Sequence, residues 1–136
     1  MKTVLILAAS KEMEQHLRKA LGRQYRVIPV SLRDVEAFLC LCPDALILEL
    51  SLPGCTGLDV LECCRPVLPP VVMALSTLTT PSVMEEAAAA GVTCMVRIPF
   101  TAREAALRLE LAIKKVPPVR EGKDRQKVTP YEKKLT

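Results

Sequence analysis

The chain has 136 residues and a mass of 14.9 kDa, enough for one compact domain and a short tail. Hydrophobic residues at 50% and charged residues at 25% exclude a wholly disordered chain, and aromatics at 3% with no Trp exclude base-stacking platforms for single-stranded nucleic acid. Of the formal net charge of +4, residues 117–136 hold +3, from six basic and three acidic side chains; the rest, with 13 basic and 12 acidic groups, is nearly neutral and offers no nucleic-acid face.

The first apolar run, Val4–Ala9 after Met1-Lys2, is too short for a signal-peptide core and meets Lys11, Glu12 and Glu14, so it reads as a buried strand. No run approaches the ~18 apolar residues of a membrane span, and the expected location is cytoplasmic, without membrane contact. Thr3–Ala9, Tyr25–Val30, Ala45–Leu50, Val71–Leu75 and Val92–Arg97 are the five expected strands. Continuous Val/Ile/Leu runs of this length fit strands buried on both faces of a parallel sheet.

Helical patterns separate them. Ser10 caps the first, which stops at Gly22; Ser31 caps the second, which ends at Cys42 before Pro43; the third spans Gly57–Cys64. Thr80-Pro81 opens the fourth, with Gly91 where a left-handed residue is wanted, and Thr101 with Glu104 opens a fifth that runs to Lys115. Five strand–helix units with right-handed crossovers predict an α/β fold: a doubly wound, five-stranded parallel sheet in three α/β/α layers over residues 1–116. Pro117-Pro118 breaks the pattern, and residues 117–136 read as a basic linker or tail.

The six cysteines, at 40, 42, 55, 63, 64 and 94, form no CxxC pair, and His16 is the one histidine, so no zinc site is expected. They read as small, inert core residues, a redox switch at Cys55, in the loop near the site, being the alternative.

A doubly wound sheet gathers its functional groups outside the carboxyl ends of its strands. Those positions hold Ala8, Ala9 and Ser10, then Glu49, then Ser76 and Thr77, then Arg97, Ile98 and Pro99. This is a thin inventory for catalysis: one carboxylate and two hydroxyls, with no glycine-rich phosphate loop and no acid–base pair. No enzymatic activity and no cofactor are expected; the rival reading is a small-molecule or nucleotide binder, or an enzyme, using the same crevice.

Pro43-Asp44-Ala45-Leu46-Ile47-Leu48-Glu49-Leu50-Ser51-Leu52-Pro53-Gly54-Cys55-Thr56-Gly57-Leu58-Asp59-Val60-Leu61 resembles the third strand and following loop of response-regulator receiver domains, and Arg97-Ile98-Pro99-Phe100 resembles that family's Lys-Pro-Phe. The resemblance covers residues 2–115 and implies a flavodoxin-like fold. It also implies a site: an aspartate that accepts a phosphoryl group, an acidic pair that holds magnesium with it, a lysine and a switch hydroxyl. Here the acidic pair falls on Ala8 and Ala9, the phospho-acceptor on Glu49, the lysine on Ile98 and the aromatic switch on Met95; the hydroxyl is retained as Ser76.

Two alanine methyls supply no oxygen ligand to magnesium, and with the lysine gone nothing offsets the charge of a transferring phosphoryl group. The extra methylene of Glu49 displaces its oxygen enough to cost about 10²-fold on its own. The expectation is a degenerate pseudo-receiver, a phosphorylation-independent two-component signalling module with no metal. Glu49 either imitates the phosphorylated state through Ser76 or Thr77 or is silent.

Partners are expected to be proteins or a second copy, docking on the fourth helix, fifth strand and fifth helix through Val83, Met84, Ala87, Arg103, Arg108 and Lys114. Val128-Thr129-Pro130-Tyr131-Glu132-Lys133-Lys134-Leu135 resembles the opening of helix-turn-helix output domains, so DNA is expected as a partner only through a further C-terminal domain of a transcriptional regulator.

Overall fold

The computed structural model describes residues 1–117; the linker and helix-turn-helix readings of residues 118–136 fall outside the described residues. In chain order the elements are β1 (Thr3–Leu7), α1 (Lys11–Leu21), β2 (Arg26–Pro29), α2 (Val35–Leu39), β3 (Ala45–Glu49), β4 (Ser51–Leu52), β5 (Cys55–Thr56), α3 (Gly57–Cys63), β6 (Val71–Ser76), α4 (Pro81–Ala90), β7 (Cys94–Arg97) and α5 (Ala102–Lys114). Five strands form one parallel sheet in the order β2-β1-β3-β6-β7, and β4 and β5 make a two-residue antiparallel ladder.

The apolar runs split cleanly by the two-residue period of a strand. Val4, Ile6, Ala45, Ile47, Val71, Met73 and Leu75 pack on one face with Leu17, Leu21 and Leu109 of α1 and α5. Leu5, Leu7, Leu46, Leu48, Val72 and Ala74 pack on the other with Leu39, Val60, Leu61 and Ala90 of α2, α3 and α4. Each buried Leu or Ile contributes about 1.5–3 kcal/mol of transfer free energy, so the aliphatic sheet carries most of the core, with Tyr25 its one buried aromatic among the described residues.

Helix ends follow the expected chemistry at three of four sites. Ser10, Thr80 and Thr101 accept hydrogen bonds from the N–H groups of Met13, Val83 and Glu104, and Gly91 adopts φ 110° at the end of α4. The second helix differs. Asp34, not Ser31, precedes it, and its carboxylate accepts from both the N–H (2.8 Å) and the hydroxyl (2.9 Å) of Ser31. Those two bonds hold the Asp34 carboxyl below its usual pKa. They fold Ser31–Asp34 into a turn and leave α2 only five residues long.

The helix closes in a tight turn whose N–H groups reach back three residues, Leu41 to Phe38 and Cys42 to Leu39. Cys42 then takes φ 58° before the buried Pro43, the only positive φ at a non-glycine among the described residues.

The outer edge of β2 is blunted. The N–H of Arg26 donates to Lys2 just before β1 and that of Val30 to Ile6 within it, and Pro29, facing away from β1, has no N–H to offer a further strand.

Candidate functional site

The carboxyl ends of β1, β3, β6 and β7 bring Ala8, Ala9, Glu49, Ser76 and Ile98 together, as the sequence predicts. Glu49 and Ser76 are the two buried polar side chains of the described residues. Their hydrogen bonds run in different directions. Glu49 Oε2 accepts from the backbone N–H of Ala9 at 2.6 Å, on the far side of the crevice from Ser76. Ser76 Oγ donates to the carbonyl of Leu78 (2.8 Å) and accepts from its N–H (3.0 Å). The bridge from Glu49 to Ser76 or Thr77, one of the two readings the sequence allows, is not made: the longer carboxylate swings toward β1, where the small Ala8 and Ala9 side chains leave a free N–H in reach.

Backbone contacts hold this arrangement. Leu50 N–H donates to Leu75 O, Ile98 N–H to Ser76 O and Gly57 N–H to Leu50 O, tying the ends of β3, β6, β7 and α3 together. At Gly57 a Cβ would lie 2.5 Å from the Glu49 carbonyl oxygen and 2.9 Å from Leu50 Cα, so only glycine lets α3 start this close to the strand that carries Glu49.

Ile98, where a cation would stand, is half-buried and packs with Ala8, Met13 and Phe100 over the α1–α5 side of the core; Met95 packs on the opposite side. His16 lies beside this wall with Nε2 3.3 Å from the carbonyl oxygen of Phe100 and its ring 5.1 Å from the phenyl ring. No three His, Cys, Asp or Glu side chains among the described residues stand close enough to hold a metal ion. The residues present do not fit the magnesium of the resembled family. One carboxylate, already bound to a backbone N–H and flanked by two methyl groups, cannot build an octahedral oxygen shell.

The outer face of α4, β7 and α5 holds most of the predicted interaction residues. Met84, Arg103, Arg108 and Lys114 are exposed and Val83 is half-buried. Ala87 is a correction: at 1% exposure it faces the sheet with Ala90, and Ala88 and Ala89 are the outward alanines. Four consecutive alanines give a helix no apolar stripe, so which of them faces inward was open in the sequence. Arg108 is committed within the chain, donating to the carbonyl of Met95 at 2.5 Å on the outer strand of the sheet. Lys114 makes an exposed pair with Glu110 at 3.4 Å, worth little by itself.

Leu107 and Leu111 on α5, exposed by 45% and 53%, and Leu78 in the loop after β6, exposed by 59%, are not among the residues the sequence singles out. The first two are an i, i+4 apolar pair, a signal that was there to be read.

The cysteines also depart from expectation. Cys64 alone is fully buried, its thiol pushed up by burial and then by the Glu36 carboxylate, hence protonated and unreactive. Cys40, Cys42 and Cys63 are exposed, and Cys55 and Cys94 half-buried.

No protein-family model matches the chain, and no curated protein matches it significantly. Solved structures match its fold. Chemotaxis protein CheY4 of Vibrio cholerae is similar with a TM-score of 0.74 at 22% identity, over 82% of this chain and 98% of that one. The signal receiver domain of a Luxo repressor protein from Vibrio parahaemolyticus gives 0.75 at 21%, over 84% and 91%. A LuxR-family DNA-binding response regulator from Staphylococcus aureus gives 0.68 at 18%, over 83% and 99%. At these identities the likeness establishes the architecture: the chain has the flavodoxin-like fold of response-regulator receiver domains. None of its described helices is long and apolar enough to cross a membrane.

Proposed function

We propose that the chain is a receiver-type signalling module that works without phosphorylation, through protein contacts on the α4–β7–α5 face, with a second copy as the first partner to test. One observation carries the reading: the Glu49 carboxylate is bound to the Ala9 N–H at 2.6 Å, in a crevice where Ala8, Ala9 and Ile98 replace every charged group that phosphoryl transfer requires. The acceptor position is buried and already partnered, so it serves as a structural tie between β3 and the loop after β1.

The outer face supports the interaction half of the reading. It exposes Met84, Leu107 and Leu111 among charges of both signs, with Glu85 and Glu86 on α4 and Arg103 and Lys114 on α5. An isologous pairing can therefore bring the acidic helix of one copy against the basic helix of the other. A C-terminal output domain would make this the regulatory half of a DNA-binding regulator.

Sedimentation equilibrium with and without acetyl phosphate and Mg²⁺ tests both halves, with intact-mass measurement of the same samples. The expected result is an unchanged mass and the same concentration-dependent dimer in both buffers, with Leu111→Glu weakening the dimer at least about tenfold, the effect of ~1.4 kcal/mol. Phosphoryl uptake, or a monomer at every concentration, overturns the corresponding half.

A further inference from the structure

The turn that closes α2 carries two cysteines; its backbone leads the chain into the buried Pro43, but neither thiol is buried in the core or faces the crevice. Cys40 and Cys42 are both exposed, and they line one apolar groove with Leu39, Pro43, Pro66 and Pro70. Cys42 holds a left-handed backbone that glycine or asparagine would ordinarily occupy, and its Sγ folds back to 3.9 Å from the carbonyl oxygen of Cys40. Strained backbone at a reactive residue points to a role that outweighs the strain. Here the strain turns one thiol toward the residue that bears the other, and two successive three-residue hydrogen bonds keep the intervening Leu41 in a tight turn.

We infer that Cys40-Leu41-Cys42 is a dithiol site that closes to a disulfide by exchange with a low-molecular-weight disulfide such as oxidised glutathione. One thiolate of the pair attacks a sulfur of that disulfide and expels a glutathione thiolate, leaving a mixed disulfide on the protein. The second thiolate then attacks the protein-bound sulfur, forms the Cys40–Cys42 bond and expels the second glutathione. Two electrons pass from the protein thiols to the glutathione disulfide, and the two thiol protons end on the released glutathiones. The neighbouring cysteines are poorer candidates: Cys64, whose thiol is raised by burial first and then by Glu36, Cys63 and Cys40, is held protonated, and Cys63 lies on α3 outside the turn. The closed ring would fix the end of α2 and remove both thiols from the groove. This input is independent of the crevice at Glu49 and holds whether or not the α4–β7–α5 face dimerises.

The full chain equilibrated across a range of reduced-to-oxidised glutathione ratios tests this by intact mass and fragment mapping. The wild type should lose the mass of two hydrogens, mapped to Cys40 and Cys42, and keep no glutathione. Cys63→Ser should behave identically. Cys42→Gly, which suits the left-handed backbone and so folds, should instead retain one glutathione on Cys40; Cys40→Ser should retain one on Cys42. Three results overturn the inference: a persistent glutathione adduct on the wild-type pair, pairing of either thiol with Cys63 or Cys64, or no mass change over the whole range.

Discussion

The backbone N–H of Ala9 and the carboxylate of Glu49, forty residues apart in sequence, meet at 2.6 Å across the β1–β3 ladder. A bond from a backbone donor to a carboxylate is about twice as strong as one between neutral groups, and this one ties the end of β3 to the loop after β1. Glu49→Ala should leave the Ala9 donor unpaired and cost about 1–3 kcal/mol, read as a lower urea midpoint. Glu49→Gln keeps an acceptor and should cost less. Glu49→Asp should be destabilised too, because the shorter side chain falls short of Ala9, and it should still take up no phosphoryl group from acetyl phosphate. Uptake is expected only when Ala8→Asp, Ala9→Asp and Ile98→Lys accompany it.

Gly57 lies under the same strand end. A methyl group there meets the Glu49 carbonyl oxygen at 2.5 Å and the Leu50 backbone at 2.9 Å, neither of which yields as a flexible side chain would. Gly57→Ala should therefore destabilise by about 1–3 kcal/mol although alanine favours a helix. A stability equal to wild type in denaturant titration would show that α3 can move away from β3.

Arg108 tests what protects the sheet edge. Its guanidinium covers the Met95 carbonyl on β7. Arg108→Ala should lose about 1 kcal/mol and expose a strand edge, giving faster light-scattering growth on heating. Should self-association at ambient temperature weaken as well, the residue also serves the interface.

Tyr25 sets an alkaline limit. Burial, and then the Glu110 carboxylate, hold its phenol above the ordinary value of 10.0. A folded-state pKa above the unfolded one gives stability that is complete below about pH 10 and is lost as pH rises through the folded value, by at most ~1.4 kcal/mol per pH unit. Urea midpoints should fall above about pH 10 in the wild type and fall less in Tyr25→Phe.

The sheet was legible because runs such as Leu46-Ile47-Leu48 are apolar at every position, which only a strand covered on both faces tolerates. Caps whose donor lies three residues on, as at Ser10 and Thr101, were legible too. The second helix was not: Ser31 and Asp34 are equally good capping residues, and no periodicity says which will bond the other. The direction of Glu49 was closed to sequence reasoning for another reason, since its partner is a backbone N–H that only the β1–β3 register brings near. Ala87 was misplaced because a run of alanines has no side to read. The exposure of Cys40 and Cys42 follows from the shortness of α2, and so was lost with it.

The clasp of Ser76 on Leu78 has a kinetic meaning. A hydroxyl that both donates to and accepts from one residue two positions on holds the start of the β6–α4 loop in a single shape before any partner arrives. Docking next to that loop then needs no prior rearrangement, so encounter should proceed in one phase at a rate set by diffusion and orientation. The chain would thus act as a fixed template, and its residence time on a partner would carry whatever signal it conveys.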